Sequence, residues 1–203
     1  MTHLFLDACA LARRYFTDAG SRNIDQLLAL TDTAYCTDIL GIPETAGALR
    51  ATLEDTRWRA FQRPEFEAAM ELLLNHWRTQ YQVIALNPQA ANDAWSLIYR
   101  HYLRGADAIH LALALQYHGA VRSADPKDAV VLVTSDHRLI KAATAEGLRV
   151  FHFWRCQCPL CGLEFQAKKG KLNKHGNCTF SCNCGRQECT STYQVTIDKL
   201  LAV

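Results

Sequence analysis

The residues with the clearest potential for chemistry are four acids that each follow a strand or open a helix in the sequence. Asp7 ends the apolar run HLFLD, Glu44 follows Pro43 in a first helical turn, Asp107 lies near the start of GADAIHLALAL, and Asp136 follows the β-branched run VVLVT. Ligands bind outside the carboxyl ends of parallel strands, where helices begin. We therefore expect these four segments to bring carboxylates to one edge of a sheet.

Carboxylates grouped in this way raise one another's pKa values unless a divalent cation neutralises them. Oxygen ligands completed by water suit Mg²⁺ or Mn²⁺ better than Zn²⁺. Such an ion can activate water and stabilise charge on a phosphodiester during hydrolysis. Helix capping is the alternative role for each acid taken singly. Asp107 is the exception, because its helix is apolar almost all round and a buried charge there needs a partner.

The elements that must position these acids alternate between strand and helix patterns. Strand patterns are expected at 3–7, 81–86, 129–136 and 148–153, and helix patterns at 8–16, 45–55, 65–80, 88–103, 103–120 and 137–147. Pro64 and Pro88 stand near two helix starts, and Gly147 follows the end of a third. This order predicts an α/β domain with a mostly parallel sheet that is covered by helices on both faces.

Composition sets limits on the class of protein. The formal net charge of the 203 residues is +2, so the whole chain has no strong electrostatic attraction to nucleic acid or membrane. Asp7 and two arginines interrupt the N-terminal apolar run, and no stretch reaches membrane-spanning length. We therefore expect a cytoplasmic protein with no membrane partner, whose nine cysteines are reduced thiols or metal ligands.

Four segments resemble the motifs of PIN-domain nucleases, in the same order, over residues 3 to about 153. They are HLFLDACAL, ETAGALR, GADAIHLALAL and LVTSDHRLIKAATAEGLRV. The resemblance is strongest to VapC-like toxin ribonucleases of toxin–antitoxin pairs. It implies a three-layer α/β/α sandwich and Mg²⁺- or Mn²⁺-dependent cleavage of RNA by in-line attack of metal-activated water. It also implies an antitoxin partner and a metal site made of Asp7, Glu44, Asp107 and Asp136.

The chain departs from this pattern directly after the first acid. Ala8 and Cys9 replace the usual Thr/Ser pair, so a hydroxyl that orders the site is expected to be missing and activity to be weaker. Cys9 is expected to be a small core residue. His110, one turn from Asp107, is expected to be packed or hydrogen-bonded and not a ligand.

Seven of the nine cysteines fall between Cys156 and Cys189, which divides the chain into a domain at 1–153 and a cysteine-rich module at 154–203. The module resembles a zinc ribbon with CPLCG and CNCG as its two metal-binding turns. The first choice of ligands for a structural Zn²⁺ is Cys158, Cys161, Cys182 and Cys184. Another tail cysteine could replace Cys184, or the remaining cysteines could form a second site with His175.

Four lysines of this module, in the segment KKGKLNKH, could contact single-stranded RNA. They are Lys168, Lys169, Lys171 and Lys174. A metal-held module with no direct role is the alternative.

The resulting prediction is an Mg²⁺/Mn²⁺-dependent endoribonuclease whose ribbon helps to hold RNA, an antitoxin or a ribonucleoprotein, with a homodimer as an open possibility. The alternatives are a catalytically weak or inactive RNA-binding or scaffold protein and, less well supported, a phosphoacceptor domain.

Overall fold

The computed structural model describes residues 1–17, 21–55, 61–153, 155–157 and 164–166. Its main sheet has five strands: β1 (Thr2–Leu6), β2 (Thr33–Asp38), β3 (Gln82–Ile84), β4 (Ala129–Thr134) and β5 (Arg149–His152). Their order across the sheet is β3-β2-β1-β4-β5, and every pairing is parallel. β1 is central, with Leu4 opposite both Tyr35 and Val131.

The described residues form seven helices: α1 (Ala8–Ala12), α2 (Ser21–Leu28), α3 (Gly41–Glu54), α4 (Arg63–Thr79), α5 (Pro88–Arg100), α6 (Gly105–Ala124) and α7 (His137–Ala145). Local sequence signals explain several of their limits. Asn87 caps α5 by accepting from the Ala90 backbone N–H, and Pro88 occupies the first turn. Gly147, at φ 81°, follows the end of α7 in the left-handed region that glycine favours.

Helices cover both faces of the sheet. Alternate residues of β1 point in opposite directions, so Phe5 joins the core under α5, α6 and α7, whereas Leu4 and Leu6 join the core under α1 and α2. β4 alternates in the same way and all six of its residues are buried. This arrangement confirms the predicted three-layer α/β/α sandwich, and its main sheet is wholly parallel.

The strand order reverses between β1 and β4. From β1 the chain adds β2 and then β3 on one side, and then returns to place β4 and β5 on the other. The chain leaves β1 toward β2 on one side and leaves β4 toward β5 on the other side. Because these two connections diverge, a crevice opens between them at the carboxyl ends of β1 and β4. Asp7 follows β1 directly, and Asp136 follows β4 after one residue.

The cysteine-rich module is described only in part. Strand β6 (Arg155–Gln157) pairs antiparallel with β7 (Glu164–Gln166), and in the sequence they flank CPLCGL. The predicted zinc ligands and RNA-binding lysines lie outside the described residues: Cys158, Cys161, Cys182, Cys184, Lys168, Lys169, Lys171 and Lys174. The zinc ribbon and the division at 153 stay predictions. None of the helices in the described ranges is long and apolar enough to cross a membrane.

Candidate active site

Four different segments deliver the predicted acids to the carboxyl edge of the sheet. Asp7 is the N-cap of α1 and Asp136 is the N-cap of α7, while Glu44 and Asp107 lie in the first turns of α3 and α6. The capping role that was the alternative for each acid is therefore real for Asp7 and Asp136. It occupies only Oδ1 of each, which accepts from Ala8 N in the first case and from Arg138 N and Leu139 N in the second.

The other carboxylate oxygen of Asp7 is held by side chains from α1 and β4. Thr134 donates its hydroxyl to Asp7 Oδ2 at 2.7 Å, and Cys9 donates its thiol to the same oxygen at 3.0 Å. Thr134 Oγ1 in turn accepts from the Asp136 backbone N–H at 3.1 Å. The first and fourth acids are thus tied to each other through one buried hydroxyl group.

Cys9 packs against the core as predicted and also contacts the acidic site. Its Sγ lies beside the site and contacts Asp7, Thr134 and Ser135. Burial, ahead of the charge of Asp7, raises the pKa of the Cys9 thiol to about 12, so the sulfur keeps its proton and serves as a donor. No hydroxyl follows the first acid, and the thiol of Cys9 acts as a hydrogen-bond donor in that position.

Glu44 is held by a buried histidine. His110 Nε2 donates to Glu44 Oε2 at 2.7 Å, and His110 Nδ1 donates to Asp38 Oδ2. Burial acts to lower the pKa of His110, but the hydrogen bonds to Asp38 and Glu44 outweigh it and raise the pKa to about 10. The imidazolium therefore bridges two acids, which agrees with the prediction that His110 is hydrogen-bonded.

The start of α3 is fixed by a close contact with β2. A Cβ on Gly41 would clash with Thr37 Oγ1, so a larger residue at position 41 would require the Thr37 side chain to move. Three residues later Glu44 extends its side chain, 38% exposed, toward His110. The close approach of α3 to β2 at Gly41 therefore places Glu44, in the first turn of α3, at the carboxyl edge of the sheet.

Asp107 lies where other negative charges are close by at this edge of the sheet. Burial, followed by the negative charges of Asp136 and Asp7, raises the pKa of Asp107, while a backbone hydrogen bond from Arg104 opposes this. The negative charges of two other predicted acids therefore act against ionisation of Asp107. A bound cation would relieve this repulsion.

The site contains side-chain atoms that could bind a metal ion. One ligand atom each from Asp7, Glu44 and His110 lies within 4.8 Å of the other two. Because both nitrogens of His110 donate to carboxylates, its ring offers no lone pair in this arrangement and instead orients Glu44. The other ligand atoms in this group are the carboxylate oxygens of Asp7 and Glu44, and such oxygens suit Mg²⁺ or Mn²⁺.

Solved structures resemble this chain in fold. A toxin–antitoxin complex from Klebsiella pneumoniae aligns with a TM-score of 0.50 at 15% identity over 75% of this chain and 98% of that chain. The chain has a PIN-like fold. FitAcB from Neisseria gonorrhoeae has a TM-score of 0.47 at 16% identity, over 76% of this chain and 99% of that chain. VapBC-1 from nontypeable Haemophilus influenzae has a TM-score of 0.44 at 14% identity, over 75% and 98%. No protein-family profile and no curated protein matches the chain.

Asp38 is a residue at this edge of the sheet that the sequence analysis did not identify. It ends β2, is fully buried and contacts His110. The signal was present, because TAYCTD is a run of β-forming residues that ends in an acid, as HLFLD does. Such a pattern marks the end of a strand but does not indicate whether its acid binds an ion or neutralises a buried base.

Proposed function

We propose that this protein is a divalent-metal-dependent endoribonuclease that hydrolyses RNA at the acidic edge of its sheet. The observation that carries the proposal is that Asp7, Glu44, Asp107 and Asp136, from four separate segments, lie at the carboxyl ends of parallel strands where the strand order reverses. Burial and the negative charges of Asp136 and Asp7, which together raise the pKa of Asp107, favour a cation at this place.

The contacts around the four acids suit a pre-organised hydrolytic site. Thr134, Cys9 and the Ala8 backbone hold Asp7, and His110 holds Glu44. These groups prevent the carboxylates from turning away and so reduce the reorganisation that binding would otherwise require. When bound, Mg²⁺ or Mn²⁺ would supply activation of the attacking water and stabilisation of charge on the phosphate.

We also propose that the chain acts with an antitoxin. The first structure compared above is a toxin–antitoxin complex, and the HLFLDACAL and GADAIHLALAL motifs resemble those of VapC-like toxins. An antitoxin would keep a nuclease of this kind inactive until release. The cysteine-rich module then has the proposed role of a zinc-held platform that adds positive charge near the RNA.

The test is cleavage of defined single-stranded RNAs by the full-length protein with Mg²⁺ or Mn²⁺. Cutting should depend on the added ion and should be abolished by Asp7→Asn and by Asp107→Asn. The matched control is Asp125→Asn, because Asp125 is exposed and caps the opposite end of α6 from Asp107. Circular dichroism should show the same helix content in all four proteins.

Two outcomes would overturn the assignment. Equal cutting by the wild type and the Asp7→Asn and Asp107→Asn variants would place the activity elsewhere. RNA binding without cutting, under any divalent ion, would support the alternative of an inactive RNA-binding or scaffold protein.

A further inference from the structure

Three aromatic side chains are strongly exposed, and all three lie within eight residues of the chain. The exposed fractions are 77% for Trp95, 89% for Tyr99 and 82% for Tyr102; no other aromatic residue in the described ranges belongs to the exposed class. Trp95 and Tyr99 are four positions apart and so share one face of α5. Because aromatic rings are normally buried, such a group indicates a surface that contacts something else.

This aromatic surface leads to the acidic edge. Arg100 and His101, which lie between Tyr99 and Tyr102 in the chain, bind Glu146 at the C-terminal end of α7. The guanidinium of Arg138, in the first turn of α7, lies 4.6 Å from the centre of the Tyr102 ring. The segment therefore runs along α7 toward the helix start that Asp136 caps.

Asp107 lies just beyond this segment along the chain. Arg104, the N-cap of α6, is exposed and comes three residues before Asp107. Tyr102 is thus close to two exposed arginines whose backbone N–H groups bind acids of the site. The Arg138 N–H binds Asp136, and the Arg104 N–H binds Asp107.

The combination of exposed rings and cations favours one class of ligand. Single-stranded nucleic acid is bound by aromatic faces on which bases stack and by arginines that contact the backbone or stack on the rings. A duplex keeps its bases paired inside and offers them no such contact. An aliphatic protein partner would gain little from the arginines.

We propose that Tyr102 and Arg138 form a base-stacking site for single-stranded RNA beside the scissile phosphate, and that Tyr99 and Trp95 continue this track along α5. This rests on the ribonuclease function proposed above and extends it. The track selects unpaired RNA and places one base next to the acids.

The test is binding of a 12-nucleotide single-stranded RNA that carries one 2-aminopurine, measured by fluorescence anisotropy and by quenching. The full-length protein is used with Ca²⁺ in place of Mg²⁺, and a gel verifies that the RNA stays intact. Tyr102→Ala should weaken binding about 5- to 100-fold and remove the quenching. Tyr102→Phe, which keeps a ring, should restore both. Leu72→Ala, at a 44%-exposed position on α4, is the control and should bind like the wild type.

The outcomes separate this inference from the proposed function. If the wild type binds and cuts RNA but Tyr102→Ala binds equally well, the stacking site is refuted and the nuclease stands. If Tyr102→Ala changes the mass in sedimentation without changing RNA affinity, the aromatic surface contacts protein and the inference also fails. A wild type that neither binds nor cuts RNA would remove both proposals.

Discussion

Replacing His110 with alanine should destabilise the fold more than the loss of an ordinary core residue. His110 is 1% exposed and contacts two acids, one of which, Asp38, is completely buried. Without the imidazolium, Asp38 keeps the Leu40 backbone N–H at 2.9 Å but loses its charged partner. A buried carboxylate is then left without compensation.

The expected cost follows from the burial of this pair. Breaking a buried ion pair by removing one partner costs about 3–5 kcal/mol. For a chain of about 200 residues each kcal/mol lowers the melting temperature by about 2–4 °C, so His110→Ala should melt about 6–20 °C below the wild type. Since domains are stable by about 5–15 kcal/mol, the variant should still fold at 25 °C.

A double-mutant cycle in urea at pH 7 tests the physical reason. Asp38→Ala combined with His110→Ala should cost less than the sum of the two single changes by at least about 1 kcal/mol, because the two residues stabilise each other. His76→Ala is the control: His76 is buried and contacts the Tyr15 hydroxyl, and within the described residues no acid is hydrogen-bonded to its ring. Combined with Asp38→Ala it should be additive. Additivity of the His110 and Asp38 changes would refute the pairing.

Three further predictions concern the site and its support. Mn²⁺ at 100 times its dissociation constant should stabilise the wild type by about 2.7 kcal/mol in calorimetry, and Asp107→Asn should lose most of this gain; an equal gain would exclude Asp107 from the ion site. Cys9→Ser should cut RNA within about threefold of the wild-type rate, because it keeps a donor to Asp7, whereas Cys9→Val should lose about tenfold; equal rates for both would contradict that role. A hydrogen bond from His101 lowers the pKa of Glu146 below its usual 4.5. The contribution of this bond to the free energy of unfolding is therefore fully present above pH 4.5 and is lost as the pH falls through the lowered pKa. Urea unfolding of Glu146→Gln should show a deficit of about 1 kcal/mol at pH 7 that shrinks as the pH falls below 4.5, and a deficit that stays constant over the acid range would contradict the linkage.

The placement of the four acids was predictable from sequence because each one stands at or near the start of a helix. Parallel strands share one carboxyl edge, so position in the chain translates directly into position in space for Asp7 and Asp136. The buried run of β4 and the glycine after α7 were equally clear, since both have strong local signals.

The partners of those acids were not predictable, because they depend on contacts between distant segments. His110 and Asp38 are 72 residues apart, and neither neighbourhood in the sequence indicates the other. The aromatic surface was missed for a different reason. Trp95 and Tyr99 look like core residues of an amphipathic helix, and only the packing of Ala94 and Leu97 shows that α5 buries another face.

The hydrogen bond from Thr134 to Asp7 joins the two ends of the domain across 127 residues of sequence. A growing polypeptide on the ribosome therefore lacks a complete set of acids until β4 has emerged and entered the sheet between β1 and β5. If the chain is the ribonuclease proposed above, its site could not assemble before residue 136 has been made, so it would be inactive toward the translation machinery during that part of its own synthesis.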